Sequence, residues 1–143
     1  MYLDSAILVK LVVREPDSDF YADLVDGQPS VRSSELAMPE CRSALLRKWR
    51  QGQIDAWTHD MAWTRLQTLW SGGGLVLHPV TRGILLEAAR DIEKCMARAP
   101  LRTLDAIHIA TCLLFREYPL ITNDRVMRVA AETLHLPLGA LPR

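Results

Sequence analysis

Short apolar runs alternate with longer amphipathic segments along this chain, a pattern typical of strands that take turns with helices. Four runs are predicted as strands: Tyr2–Asp4, Val31–Ser33, Leu75–His78 and Leu120–Thr122. The predicted helices are Ser5–Arg14, Asp17–Asp26, a segment capped by Ser33 or Ser34 that runs to about Gln51, Gln53–Trp70, Arg82–Arg98, Leu104–Phe115 and Arg125–Leu134. Because strands joined by helices pair in parallel through right-handed crossovers, we expect an α/β sandwich with a central parallel sheet.

Proline and glycine residues mark the expected ends of these helices. Pro16, Gly27, Gly72–Gly74 and Pro100 lie where helices should stop. Pro39 lies inside a predicted helix, where it would either kink the helix or confine its regular part to the residues that follow. The last segment, Pro137–Leu141, is predicted as an edge strand.

Nothing in the composition divides the chain or directs it to a membrane. With 143 residues, 49% of them hydrophobic, it is expected to form a single domain over residues 1–143. No apolar run approaches the ~18 residues of a membrane span, and no signal peptide precedes Asp4. The three cysteines lack CxxC spacing. We therefore expect a cytoplasmic protein with reduced thiols.

The formal net charge is zero, yet the charges are unevenly distributed. Residues 1–40 contain eight acidic and three basic side chains, whereas residues 41–102 contain ten basic and five acidic ones. Such a dipolar pattern could bring an anionic polymer to an acidic pocket, although solvated helix faces would produce the same counts.

Four carboxylates interrupt apolar stretches and are the main candidates for chemistry. They are Asp4, Glu40, Asp105 and Asp124. An ionised carboxylate is almost never buried alone, because its desolvation costs several kcal/mol unless a partner or a cation compensates. A site made only of carboxylates favours hard divalent ions, so the four acids predict a magnesium or manganese site assembled by folding.

The predicted sheet gives the four acids a common location. Asp4 ends the first strand and Asp124 follows the strand Leu120–Thr122, while Glu40 and Asp105 lie on helices. Sheets of this class bind ligands beyond the carboxyl ends of their strands. Carboxylates around one or two divalent ions are suited to hydrolysis of phosphodiesters. Each acid also has a structural alternative, since Asp4 and Asp124 could cap helices and Glu40 could be solvated.

Two hydroxyl groups adjoin the acids. Ser5 and Thr122 could each hydrogen-bond a carboxylate, a water or a phosphate in support of the site. Alternatively, Ser5 could cap a helix and Thr122 could be a hydroxyl at the end of a strand.

At these residues the chain resembles PIN-domain proteins of the VapC toxin type. The resemblance lies in four segments, in order along the chain: Tyr-Leu-Asp-Ser-Ala-Ile-Leu-Val-Lys-Leu with Arg-Glu-Pro just after it, Glu-Leu-Ala-Met-Pro-Glu-Cys-Arg-Ser-Ala-Leu-Leu-Arg, Leu-Arg-Thr-Leu-Asp-Ala-Ile-His-Ile-Ala-Thr and Leu-Ile-Thr-Asn-Asp-Arg. It implies a PIN-like three-layer α/β/α sandwich. It further implies that Asp4, Glu40, Asp105 and Asp124 bind magnesium or manganese for endoribonuclease cleavage of RNA. A homodimer and an inhibitory VapB-type antitoxin, whose C-terminal segment occupies the active-site groove, are implied as well.

Several assignments stay open at this stage. Glu35 rivals Glu40 as the fourth acid, and Glu40 is preferred because the family's acid follows the strand by several residues. Arg42 and Arg47 are candidates for RNA phosphate contacts, or they form a solvated face. His108 lies three residues after Asp105 but is interpreted as a core histidine.

An aromatic helix face is the last feature that could bind a partner. Trp63, Leu66 and Trp70 share one face of a predicted helix, which could serve dimerisation, antitoxin docking or the core.

Two functions from different classes fit these observations. The leading hypothesis is a metal-dependent endoribonuclease that acts as the toxin of a toxin–antitoxin pair. The alternative is a catalytically silent PIN-like module that binds RNA or protein, and the presence of all four acids argues against it.

Overall fold

The computed structural model describes residues 1–143 and places four short parallel strands between two helical layers. The strands are β1 (Tyr2–Leu3), β2 (Val31–Ser34), β3 (Leu75–His78) and β4 (Leu120–Ile121). Their order across the sheet is β3-β2-β1-β4, and every neighbouring pair is parallel. Tyr2 lies opposite Arg32 on one side and Leu120 on the other, so β1 occupies the middle of the sheet.

Seven helices connect and cover the strands. They are α1 (Ser5–Lys10), α2 (Ser18–Val25), α3 (Ala37–Arg50), α4 (Ala56–Ser71), α5 (Arg82–Cys95), α6 (Thr103–Phe115) and α7 (Arg125–Thr133). Each parallel pair of strands is joined through helices, as parallel pairing requires. The predicted α/β/α sandwich is therefore confirmed.

The two hydrophobic cores follow from the alternation of side chains along each strand. Successive strand residues point to opposite faces of a sheet. Tyr2 and Leu120 accordingly pack with α5, α6 and α7, whereas Leu3 and Ile121 pack with α1 to α4. Even a strand of two residues thus contributes one buried side chain to each core, and this ties both helical layers to the sheet.

Helix starts are set largely by side-chain caps. The Oδ1 atoms of Asp4, Asp55 and Asp124 accept backbone N–H groups in the first turns of α1, α4 and α7, and Thr81 Oγ1 does the same for α5. These caps satisfy N–H groups that have no partner within the helix. The predicted start of α4 at Gln53 was too early, since Gln53 N–H still closes the end of α3 on Lys48 O.

Three further boundaries differ from the prediction. α1 ends at Lys10 rather than Arg14, because the next residues tighten into i→i+3 turns such as Val12 N–H to Val9 O. α5 ends at Cys95 rather than Arg98 for the same reason. Pro137–Leu141 forms only an isolated bridge between Leu138 and Leu120, not an edge strand.

Pro39 is accommodated without breaking its helix. It is the third residue of α3, within the first turn, where backbone N–H groups have no partner in the helix. The residue at the N-cap of α3 is Leu36, so Ser33 and Ser34 are strand residues rather than the helix cap, although Ser34 Oγ accepts the N–H of Leu36. None of the seven helices has the length and apolar character that a membrane span requires.

Candidate active site

The order of the strands creates a crevice beside β1. The chain runs from β1 to β2 and β3 on one side, and later returns to place β4 on the other. Ligand sites of open parallel sheets lie at such a reversal, beyond the carboxyl ends of the strands. Asp4 directly follows β1, and Asp124 follows β4 after a two-residue loop.

All four predicted acids line one cleft at this point. The cleft has a volume of about 990 Å³, and Asp4, Glu40, Asp105 and Asp124 are among its walls. Glu40 and Asp105 reach it from the first turns of α3 and α6. Residues separated by up to 120 positions in the sequence are thus brought to one place, as the strand and helix order predicted.

Asp4 and Asp124 combine a structural role with their position in the cleft. Asp4 Oδ1 accepts the N–H of Ile7 at 2.9 Å, and Asp124 Oδ1 accepts the N–H of Met127 at the same distance. The helix-cap alternative is therefore correct for both residues, and it does not compete with their location in the cleft. Each carboxylate keeps a second oxygen that takes no part in its cap.

The cleft disfavours the charged forms of Asp4 and Asp105. Burial raises the pKa of Asp4, which is 4% exposed, and the charge of Asp124 raises it further, although hydrogen bonds from Thr122 and Ile7 lower it in part. Burial also raises the pKa of Asp105, together with the charges of Asp124 and Glu40. In both cases the protein stabilises the neutral form, which is the expected signature of acids that have been brought together without a cation.

Glu40 lies in a different environment. Burial disfavours its charge, but hydrogen bonds from His108 and Ser5 outweigh that effect and lower the pKa of Glu40. His108 Nε2 lies 2.6 Å from Glu40 Oε2, and Ser5 Oγ donates to the same oxygen. Protein groups therefore more than offset the burial of Glu40, whereas they offset the burial of Asp4 and Asp105 only in part.

Glu35 is separate from the cleft. It is exposed in the turn before α3, and its backbone N–H donates to His78 O at 2.8 Å. The structure thus groups Glu40, and not Glu35, with the three aspartates.

The two supporting hydroxyls have distinct partners. Ser5 lines the cleft and bonds to Glu40, with His108 Nε2 3.1 Å away. Thr122 is buried behind the cleft, where its Oγ1 accepts the N–H of Asp124 at 3.1 Å. Thr122 therefore shapes the loop that carries Asp124, and its hydroxyl also lowers the pKa of Asp4.

The two arginines proposed to contact RNA are oriented differently. Arg47 lines the cleft, but Arg42 does not, and its guanidinium carbon lies 4.8 Å from the centroid of the Trp63 ring. Trp63 and Trp70 are half-buried beside the fully buried Leu66, so this face of α4 belongs largely to the core.

Three further basic side chains lie around the cleft. Lys10, Lys48 and Arg102 also line it. Lys10 Nζ lies 2.6 Å from Glu15 Oε2, and Lys48 Nζ lies 2.8 Å from Glu15 Oε1, so both lysines share one acid at the rim.

The donor set fits a hard divalent cation held in an open site. Carboxylate oxygens are the preferred ligands of magnesium and manganese. No three His, Cys, Asp or Glu side chains have the mutual spacing of a ready-made ion cage. Magnesium retains several waters and is bound directly through one or two carboxylates, so an open cleft suits it better than a closed cage.

Comparison with known proteins identifies the family. The family model described as PIN domain matches residues 1–133. The chain belongs to the PIN-domain family. Ribonuclease VapC46 of Mycobacterium tuberculosis (strain ATCC 25618 / H37Rv) is 36% identical over 142 residues, covering 98% of this chain and 96% of the relative. Ribonuclease VapC45 of Mycobacterium tuberculosis (strain CDC 1551 / Oshkosh) is 32% identical, covering 92% of this chain and 89% of the relative.

These relatives place the chain among VapC-type PIN-domain proteins, and a solved structure supports the fold. The chain aligns with one from a toxin-antitoxin complex from Klebsiella pneumoniae with a TM-score of 0.57, over 86% of this chain and 85% of that chain. The aligned residues are 17% identical, so this match concerns the fold alone.

Removing the charge of Asp4 should make the metal-free protein more stable at neutral pH. The folded state raises the pKa of Asp4, so stability should fall as pH rises from the ordinary value of 3.8 through that raised pKa. Asp4→Asn keeps the oxygen that caps α1 but has no carboxyl proton to lose. The loss of stability that comes from ionisation of Asp4 should therefore be absent in this variant. Thermal unfolding in EDTA between pH 4 and pH 8 measures the difference from wild type.

Asp55→Asn is the matched control, because Asp55 caps α4 in the same way outside the cleft. A hydrogen bond from Thr58 lowers the pKa of Asp55, so its charge stabilises the fold above the ordinary Asp pKa. This variant should therefore lose stability at neutral pH. Equal pH profiles for Asp4→Asn and wild type would contradict the electrostatic account.

Proposed function

We propose that this chain is a divalent-metal-dependent endoribonuclease and the toxin of a toxin–antitoxin pair. The observation that carries the proposal is the convergence of Asp4, Glu40, Asp105 and Asp124 on one cleft at the carboxyl ends of β1 and β4. Membership among VapC-type PIN-domain proteins, whose named relatives are ribonucleases, supports the same reaction.

The three aspartates are the proposed ligands of magnesium, with manganese able to substitute. The folded chain compensates the charges of Asp4 and Asp105 only in part, and the negative charge of Asp124 raises the pKa of both. When bound, the ion would polarise the phosphoryl oxygen and lower the pKa of a coordinated water. Glu40 has its charge stabilised by His108 and Ser5, so it remains an acceptor that can complete the ion site or orient the attacking water.

Basic side chains that line the cleft are the proposed contacts to RNA phosphates. Arg47 and Arg102 line the cleft with Lys10 and Lys48. Arginine binds phosphate through a planar fork of donors, and such contacts position a nucleic acid without reading its sequence. The acidic and basic side chains of the cleft together favour a substrate whose backbone, rather than one base, is held beside the carboxylates.

An inhibitory antitoxin and a second copy of the chain complete the proposal. A VapB-type antitoxin would place its C-terminal segment in the cleft, and the toxin would act as a homodimer on RNA in the cytoplasm. Membership in the VapC-type group supports both partners.

Loss of one aspartate charge should abolish most of the cleavage. Asp4→Asn and Asp105→Asn should each lower kcat/KM at least ~100-fold in magnesium, because charge stabilisation by the ion contributes several kcal/mol to the transition state. Wild-type cleavage should stop in EDTA and return with magnesium. Fragment formation from a labelled single-stranded RNA is the measurement.

Glu35→Gln is the control, since Glu35 is an acid outside the cleft, and it should cleave like wild type. Cleavage by Asp4→Asn or Asp105→Asn at the wild-type rate would contradict the proposal. RNA binding by a wild-type protein that shows no cleavage in magnesium or manganese would favour the catalytically silent module.

Arg47 and Arg42, both on α3, should differ in their contribution to RNA binding. Arg47→Ala should weaken RNA binding and reduce the slope of log Kd against log salt by about 0.7, the contribution of one phosphate contact on a single strand. Arg42→Ala, which removes a side chain packed on Trp63, should leave the slope unchanged. Fluorescence anisotropy with the Asp4→Asn protein, which does not consume the RNA, measures both slopes. Equal slopes for the two variants would contradict the proposal that Arg47, and not Arg42, contacts an RNA phosphate.

A further inference from the structure

A continuous chain of hydrogen bonds leads from the core to Glu40. Tyr2, in β1, places its hydroxyl 2.8 Å from His108 Nδ1. His108, in α6, places Nε2 2.6 Å from Glu40 Oε2 in α3. Ser5 Oγ, at the start of α1, donates to the same carboxylate oxygen. These hydrogen bonds thus link four elements of the fold, β1, α6, α1 and α3.

The chemistry of Tyr2, His108 and Glu40 determines which group donates in each of these hydrogen bonds. An ionised Glu40 can only accept, so His108 Nε2 must carry the proton that it shares with Oε2. Tyr2 is fully buried, and a phenol carries its proton at neutral pH, so its hydroxyl can donate to Nδ1. The tautomer of a histidine is set by the partner of its other nitrogen. Tyr2 therefore selects the form of His108 that donates to Glu40.

The arrangement leaves one oxygen of Glu40 without these partners. Both His108 and Ser5 bond to Oε2, and neither bonds to Oε1. Glu40 is half-exposed on the cleft wall, whereas His108 is 2% exposed. A carboxylate anchored through one oxygen cannot rotate freely, so its other oxygen is held in a fixed direction.

We propose that His108, oriented by the Tyr2 hydroxyl, is a positioning residue that anchors Glu40 Oε2 and so fixes the orientation of Oε1 in the cleft. This inference rests on the proposed function, in which Glu40 completes the ion site or orients the attacking water. It assigns His108 a role beyond that of a core histidine, although the side chain is buried as a core residue would be.

Steady-state cleavage by three variants tests the role. His108→Ala should lower kcat roughly 10- to 100-fold with KM unchanged, the usual effect of losing a group that orients an active-site ligand. His108→Gln retains an amide donor and should recover part of the loss, which a proton-transfer role would not permit. Tyr2→Phe keeps the buried ring and removes only the hydroxyl, and it should lower kcat about 2- to 10-fold.

His59→Gln is the matched control, because His59 is the other buried histidine and does not line the cleft. It should leave kcat unchanged even if it lowers the melting temperature. Wild-type kcat in a folded His108→Ala protein would overturn the inference. An equal loss of kcat in His59→Gln, or no recovery in His108→Gln, would overturn it too, because the effect would then be general packing or proton transfer.

A second readout does not depend on activity. The ¹⁵N spectrum of the histidine rings in the metal-free protein, with His108 assigned from the His108→Gln variant, should show a protonated Nε2 and an unprotonated Nδ1. Tyr2→Phe should weaken that preference. A protonated Nδ1 with a bare Nε2 would overturn the inference even if His108→Ala failed to fold. Absence of EDTA-sensitive cleavage by wild type would instead defeat the proposed function, and the ring spectrum would still decide the geometry.

Discussion

The burial of carboxylates beside the ends of β1 and β4, to which repulsion between their charges adds a smaller cost, is the constraint on which the site depends. Folding places Asp4, Asp105 and Asp124 around one cleft, and burial together with neighbouring charge disfavours the ionised forms of Asp4 and Asp105. The chain compensates only part of this cost, through helix caps and the Thr122 hydroxyl. A divalent cation would compensate the rest, so the same burial and repulsion that disfavour the charged aspartates in the metal-free fold would give the site its affinity.

The side chains of Asp4 and Asp124 serve both the fold and the site. Asp4 starts α1 and Asp124 starts α7 through one oxygen each, which fixes both carboxylates at the crevice. β1 is only two residues long, yet Tyr2 faces one core and Leu3 the other. Tyr2 is also connected to the site through the hydrogen bond between its hydroxyl and His108. Packing of both helical layers on β1 therefore determines where Asp4 and Glu40 lie.

The sequence predicted the four strands β1 to β4, their parallel pairing and the grouping of four acids, because these depend on local periodicity and on a general rule for parallel sheets. The sequence did not predict the contact of His108 with Glu40, because this contact joins residues 68 positions apart and depends on how α6 packs against the sheet. The three-residue spacing from Asp105 to His108 was the only signal. Arg42 and Arg47 looked equivalent in the sequence, and only the packing of Trp63 separates them.

The most direct test of the central claim is the position of a cation in the protein. Anomalous diffraction from a crystal of the full chain grown with manganese locates the ion without reference to activity. The account predicts a peak in the cleft, bounded by Asp4, Asp105 and Asp124, that disappears in the Asp4→Asn protein. An empty cleft in a crystal that holds manganese elsewhere, or a peak retained in Asp4→Asn, would contradict it.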